Sequence, residues 1–126
     1  MEWKGAWDPL AQIVVVRGVT VPITETDRQF IQRCVALEPG AWQEFVGRYA
    51  ALFTHVVQHT AHCRSVKLAP ADLEDVVSDI FLAILANDLA VLRNFRGLSE
   101  LSTYLAVIAR RIAVHALTRR RMAEAM

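Results

Sequence analysis

The chain has 126 residues, 54% of them hydrophobic and 21% charged, which is ordinary globular usage with room for one domain and a core of its own. That balance excludes a disordered chain and a collagen-like repeat, and two cysteines, Cys34 and Cys63, are too few for a disulfide scaffold and fit a reducing cytoplasm. Fourteen Lys and Arg against thirteen Asp and Glu leave a formal charge of +1, a total that means little until its distribution is known.

Residues 1–25 form an N-terminal extension unlike the rest. Ile13, Val14, Val15 and Val16, then Arg17 and Gly18, then Val19, Thr20 and Val21 read as two short β-branched runs about a turn, with Pro22 limiting the second to an edge. The segment is a hairpin, an extended arm or a stretch added in expression. Its apolar run is too short for a signal peptide, and the later helices carry charges too often to span a bilayer. The expectation is a soluble cytoplasmic protein.

From Thr26 the pattern turns helical. Thr26 with Gln29 three residues later predicts a capping box and a short helix burying Phe30, Ile31, Cys34 and Val35. Pro39 and Gly40 break it. A longer helix is predicted from about Ala41 to Cys63, with Trp42, Phe45, Val46, Tyr49, Leu52, Phe53, Val56 and Val57 within one arc of about 140°. Pro70 and Ala71 open a third helix, with Asp72 expected as its cap and Asp75 near its positive end. Its buried stripe is Leu73, Val76, Val77, Ile80, Phe81 and Ile84. A loop around Gly97 follows, and Ser99 is expected to cap a last helix reaching about Arg121, leaving 122–126 as a tail. The predicted fold is all-α, a compact bundle of about four helices.

Charge is sorted by segment. Residues 70–92 hold five acids (Asp72, Glu74, Asp75, Asp79, Asp88) and no Lys or Arg, whereas residues 93–121 hold seven arginines and one acid, Glu100. Solvated faces account for such a pattern, and so do two different partners, the basic end being a candidate phosphate binder. Opposite the core stripe of the third helix lie Glu74, Asp75, Ser78 and Leu82, an apolar residue amid acids that suits a basic partner helix. On the last helix Leu101, Leu105, Ile108 and Ile112 define the expected core side, with Tyr104 at its edge. Thr103, Arg110, Arg111, Thr118 and Arg121 cluster within about 100° on another face, where arginine can grip phosphates or stack on bases and hydroxyls can hydrogen-bond. The run Arg119, Arg120, Arg121 equally suits a cationic cap on the helix's negative end.

The segment Leu73-Glu74-Asp75-Val76-Val77-Ser78-Asp79-Ile80-Phe81-Leu82 resembles the "AEDLVQEVFL" signature of sigma-70-type sigma factors. Phe95-Arg96-Gly97-Leu98-Ser99-Glu100-Leu101-Ser102-Thr103-Tyr104-Leu105 is similar to their "FRGxSSFRTWL", and Ile108-Ala109-Arg110-Arg111-Ile112-Ala113 to "IARNLA". The similarity, strongest to region 2 of the extracytoplasmic-function (ECF) group, extends over residues 27–121 and makes 26–121 a sigma region 2-like domain. It implies a transcription initiation module that binds core RNA polymerase through the β′ clamp helices and recognises and melts the −10 promoter element by holding the single-stranded non-template strand. An anti-sigma factor is a further implied partner, and no membrane or cofactor is implied. Carried over by position, Glu74, Asp75, Ser78, Asp79 and Leu82 would face polymerase, and Phe95, Arg96, Ser99, Ser102, Thr103, Arg110 and Arg111 would line the promoter site.

The chain departs from the family at Ser78 (usually glutamine), Tyr104 (tryptophan, here expected in the core), Arg111 (asparagine), His115 (aspartate) and Val107 (often basic). The sequence ends at Met126, five residues after Arg121, which leaves no room for the family's second domain that reads the −35 element. The expectation is either the first domain of a longer protein or a solitary region 2, and one domain alone should bind promoter DNA weakly. The alternative is a protein-interaction module derived from the same fold that binds polymerase or a regulator without reading DNA.

His55, His59 and His62 fall within about 60° on the second helix, a spacing that can hold Zn²⁺, although only Cys34 offers a ligand from another element and a solvated helix end is the preferred reading. An enzyme is not expected: the chain has no Gly-rich phosphate loop, HExxH or GxSxG, and Cys63 has no oxyanion site.

Overall fold

Four helices follow one another in the computed structural model, which describes residues 13–16, 19–22 and 26–125, with side chains placed over 26–121. They are α1 (Asp27–Val35), α2 (Ala41–Cys63), α3 (Pro70–Arg93) and α4 (Leu101–Ala125). Ahead of them β1 (Ile13–Val16) and β2 (Val19–Pro22) pair antiparallel, with Ile13 opposite Pro22 and Val16 opposite Val19. Between the two conformational readings of the extension, hairpin and extended arm, the pairing matches the hairpin. Arg17 and Gly18, the expected turn, lie outside the described residues.

The capping box at Thr26 forms as predicted: the Gln29 N–H donates to Thr26 Oγ1 at 3.2 Å, and the Thr26 N–H donates to Gln29 Oε1 at 2.9 Å. The end of α1 differs from expectation. It stops ahead of Pro39 in a Schellman turn, where the Leu37 N–H donates to the Cys34 carbonyl and the Glu38 N–H to the Arg33 carbonyl, both at 3.0 Å. Leu37 takes the left-handed position (φ 58°) that glycine usually fills. Gly40 (φ 85°) then admits the chain to α2. The same turn closes α2: the Val66 N–H reaches the Ala61 carbonyl at 2.9 Å across Ser65 (φ 55°).

Asp72 does not cap α3. The cap position is Ala69, Pro70 fills the first helical position where a missing N–H costs nothing, and the Asp72 carboxylate accepts from Arg120 Nη1 at 2.9 Å. Near its end α3 is interrupted. Ala86 is extended (ψ 152°), and Asn87, Asp88 and Leu89 are left-handed, at φ 55°, 59° and 61°. Arg93 braces this bend by donating from Nε to the Asp88 carbonyl at 2.6 Å and from Nη2 to its carboxylate at 3.1 Å.

Ser99 does not cap α4 either; its hydroxyl donates to the Glu100 carbonyl at 3.2 Å. The cap comes from α1, where Asp27 Oδ2 accepts the Leu101 N–H at 3.0 Å. A carboxylate at a helix N-terminus also meets the positive end of the dipole, so one contact caps α4 and ties it to the start of the bundle.

The core holds Phe30, Ile31 and Cys34 from α1, Phe45, Tyr49, Phe53 and Val57 from α2, and Val76, Ile80 and Ile84 from α3. Phe45 lies 5.0 Å from the rings of Trp42 and Tyr49 and 6.1 Å from Phe81, which in turn is 5.0 Å from Phe53. On α4 the buried side differs in part from the expected one. Leu101 and Leu105 are buried as predicted, but the row continues through Ala109, Ala113, Ala116 and Leu117, while Ile108 and Ile112 are only partly covered. A wheel weighted by hydrophobicity favours the isoleucines; packing selects the alanines, which let one backbone approach another closely. Tyr104 is half-buried, as expected, and its hydroxyl donates to the Val91 carbonyl at 2.7 Å.

Candidate nucleic-acid and protein interfaces

Because α3 buries the stripe through Val76, Ile80 and Ile84, the residues half a turn away face outward. Glu74, Asp75, Ser78 and Leu82 are exposed, Leu82 by 62%. Leu85, one turn beyond Leu82 toward the bend, is exposed as well, so an apolar strip lies within the acidic face. Asp79 is half-buried at its edge. Asp75 is partly engaged already, its carboxylate 3.7 Å from Arg120 Nη2.

Arg120 therefore joins the acidic helix to the basic one, bridging Asp72 and Asp75. The cationic-cap reading of its triplet does not hold, since α4 continues to Ala125. Arg121 lies in a separate concavity beside Ser65, Lys67, Asp72 and Arg120, away from the other residues of its predicted face.

The remaining α4 candidates meet α2. Ser102, Thr103 and Arg110 form one wall of a groove of about 430 Å³ whose other wall is Leu52, His55, Val56 and His59. A second concavity of about 610 Å³ adjoins it, sharing Val107 and Arg110 and adding Arg111, His115 and Thr118 from α4 and Arg64 from the end of α2. No acidic side chain lines either hollow. The groove is apolar along its floor and becomes cationic at one end, a combination suited to a planar apolar group carried on an anionic backbone. Thr118 contributes less than its position promised: its hydroxyl donates to the Val114 carbonyl at 2.8 Å, which leaves its oxygen only to accept.

The loop candidates divide. Arg96 and Ser99 are exposed, beside the left-handed Gly97 (φ 74°). Phe95 is a correction: it is only 3% exposed, with its ring 5.1 Å from that of Tyr104. It anchors the loop to the core and presents no ring to a base. Arg64 and the α2 histidines were missed as part of this surface, because no linear signal couples the end of one helix to a row on another.

The histidines do not assemble a metal site. Among the described residues no group of three or more His, Cys, Asp or Glu is placed to hold an ion. The His55 and His59 rings stack at 6.2 Å and 15°, His59 Nε2 lies 3.6 Å from Cys63 Sγ, and Cys34 is buried, its thiol directed at the Ala41 carbonyl. No helix among the described residues is long and apolar enough to cross a membrane.

Compared with protein-family models, curated proteins and solved structures, the chain finds no match. The class the fold defines is an all-α four-helix bundle, consistent with a sigma-factor-like fold and compatible with a DNA-binding or protein-interaction module.

Proposed function

We propose that this chain is a transcription initiation module of the ECF sigma type, one that binds core RNA polymerase through the acidic face of α3 and captures the unpaired −10 promoter strand along α4. The observation that carries this reading is the exposure, on separate helices, of Glu74, Ser78 and Leu82 on one side and Arg110 and Arg111 on the other. Carboxylates around an apolar centre complement a basic helical partner. Arginines beside an apolar groove complement an opened strand, and duplex separation is then driven by binding energy, each captured base contributing about 1–3 kcal/mol.

The test is the binding of a −10 non-template oligonucleotide over a range of salt. Arg110→Ala combined with Arg111→Ala should weaken binding and reduce the slope of log K against log salt by about 0.7 per lost phosphate contact. An unchanged affinity and slope would remove α4 from the reading. In parallel, Glu74→Lys with Leu82→Lys should abolish capture of core polymerase, a pair chosen to spare Asp75 and its contact with Arg120. Polymerase binding with no oligonucleotide binding would instead establish the interaction-module alternative.

A further inference from the structure

We infer that α2 supplies the second wall of the single-strand site, with the stacked pair His55 and His59 receiving an unstacked DNA base and Arg64 gripping the neighbouring phosphate. The inference rests on the single-strand reading above and deepens it: the segments that carry the resemblance, residues 73–82, 95–105 and 108–113, all lie outside α2. The two imidazoles are nearly parallel, one helical turn apart, and both line the groove opposite Thr103 and Arg110. Imidazole is one of the ring types on which unstacked bases settle. The groove is open to solvent along its length, and its volume, about 430 Å³, falls within the roughly 300–1,000 Å³ of clefts that receive small ligands.

Charge selects the occupant. The hollow that continues the groove brings Arg64 of α2 together with Arg110 and Arg111 of α4, with no carboxylate on its lining. An apolar slot opening onto three guanidiniums fits a base attached to its own phosphates better than an apolar peptide side chain, which would leave the cationic end uncompensated. Neither histidine is needed for the fold, since both are exposed and the buried positions of α2 fall at Ala41, Phe45, Tyr49, Phe53, Val57, Thr60 and Ala61.

Two oligonucleotides of equal length separate the base contact from the phosphate contact: the −10 non-template strand and the same backbone carrying abasic sites. His55→Ala with His59→Ala should weaken binding of the intact strand about tenfold while leaving the abasic strand and the salt slope unchanged. Arg64→Ala should weaken both strands alike and lower the slope by about 0.7. The ring NMR signals of His55 and His59 should shift on addition of the intact strand and stay in place with the abasic one, whereas that of His115, which lines the cationic hollow, should respond to both. A histidine variant that keeps full discrimination between the strands, or loses both equally while melting at the wild-type temperature, overturns the assignment of the α2 wall and leaves the single-strand reading intact. A wild-type chain that binds neither strand sinks both.

Discussion

Two parts of the core are built on opposite principles. Where α1, α2 and α3 meet, space is filled by rings: Phe45 packs among Phe30, Trp42, Tyr49 and Phe81, at centroid distances of 6.2, 5.0, 5.0 and 6.1 Å. Along α4, beyond its first two turns, space is closed mainly by Ala109, Ala113 and Ala116, buried to 2% exposure or less, with Leu117 the one large buried side chain at the end of the row. Rings fill volume and resist substitution, so they specify how the helices sit. Alanines fill almost none, so they specify how near α4 can come. The grooves combine α4 residues with Leu52, His55, Val56, His59 and Arg64 from α2, so the proposed strand-binding surface lies along the part of the core with mostly small side chains.

The comparison breaks most visibly at its ring end. Phe53 is fully buried and meets both Tyr49 and Phe81; Phe53→Ala should lower unfolding free energy by about 3–5 kcal/mol, read by chemical denaturation. An effect below about 1 kcal/mol would mean that the ring cluster does not carry the core. The alanine seam fails in the other direction. Ala109→Leu forces volume into a fully buried position beside Arg110 and should cost about 1–3 kcal/mol. Because it pushes the walls of the groove apart, it should also weaken single-strand binding under conditions where the protein is still folded. Overpacking that reduces stability and spares binding would show that the spacing of α2 and α4 does not set the groove.

This contrast also explains what could be read from the sequence. The span of α2 and its stripe were legible because eight apolar residues repeat at helical steps, and the Thr26 capping box because its partners lie three residues apart. The Asp27 cap on Leu101 was not, since donor and acceptor are separated by 74 positions and Ser99 offered a nearer, wrong solution. Nor was the left-handed stretch 87–89, which contains no glycine and is braced by Arg93 rather than by its own preferences. Ile108 and Ile112 were overvalued because hydrophobicity stood in for the tight packing that alanine satisfies. For the site, exposed rows on single helices were legible: the acids and Leu82 on α3, and Thr103, Arg110 and Arg111 on α4. Phe95, assigned to the promoter site by resemblance alone, belongs to the core, and the α2 wall needed two helices side by side before it existed.

The smallest expected effect sharpens the comparison at the edge of the ring cluster, where charge rather than apolar area joins α1 to α2. Arg33 of α1 donates from Nη2 to both carboxylate oxygens of Glu44, at 3.2 and 3.1 Å, and Arg48 also donates to Glu44 while its guanidinium lies 4.0 Å from the Phe30 ring centroid. The hydrogen bond from Arg33, with lesser help from the charges of both arginines, outweighs partial desolvation and holds the Glu44 carboxyl below its ordinary 4.5. A folded-state value depressed relative to the unfolded one stabilises the fold above the unfolded value, and that stabilisation is lost as pH falls through the folded value. Melting temperature measured from about pH 7 down to pH 3 should therefore fall more steeply for the wild type than for Glu44→Gln, with the two curves converging at the acid end. At neutral pH the separation should be slight, because the pair is only half-buried and solvent still screens it. Parallel curves across the whole range would show that the Glu44 charge does not help hold α1 to α2, leaving that contact to the burial of Phe30, Ile31 and Cys34 and to the Arg48 guanidinium over the Phe30 ring.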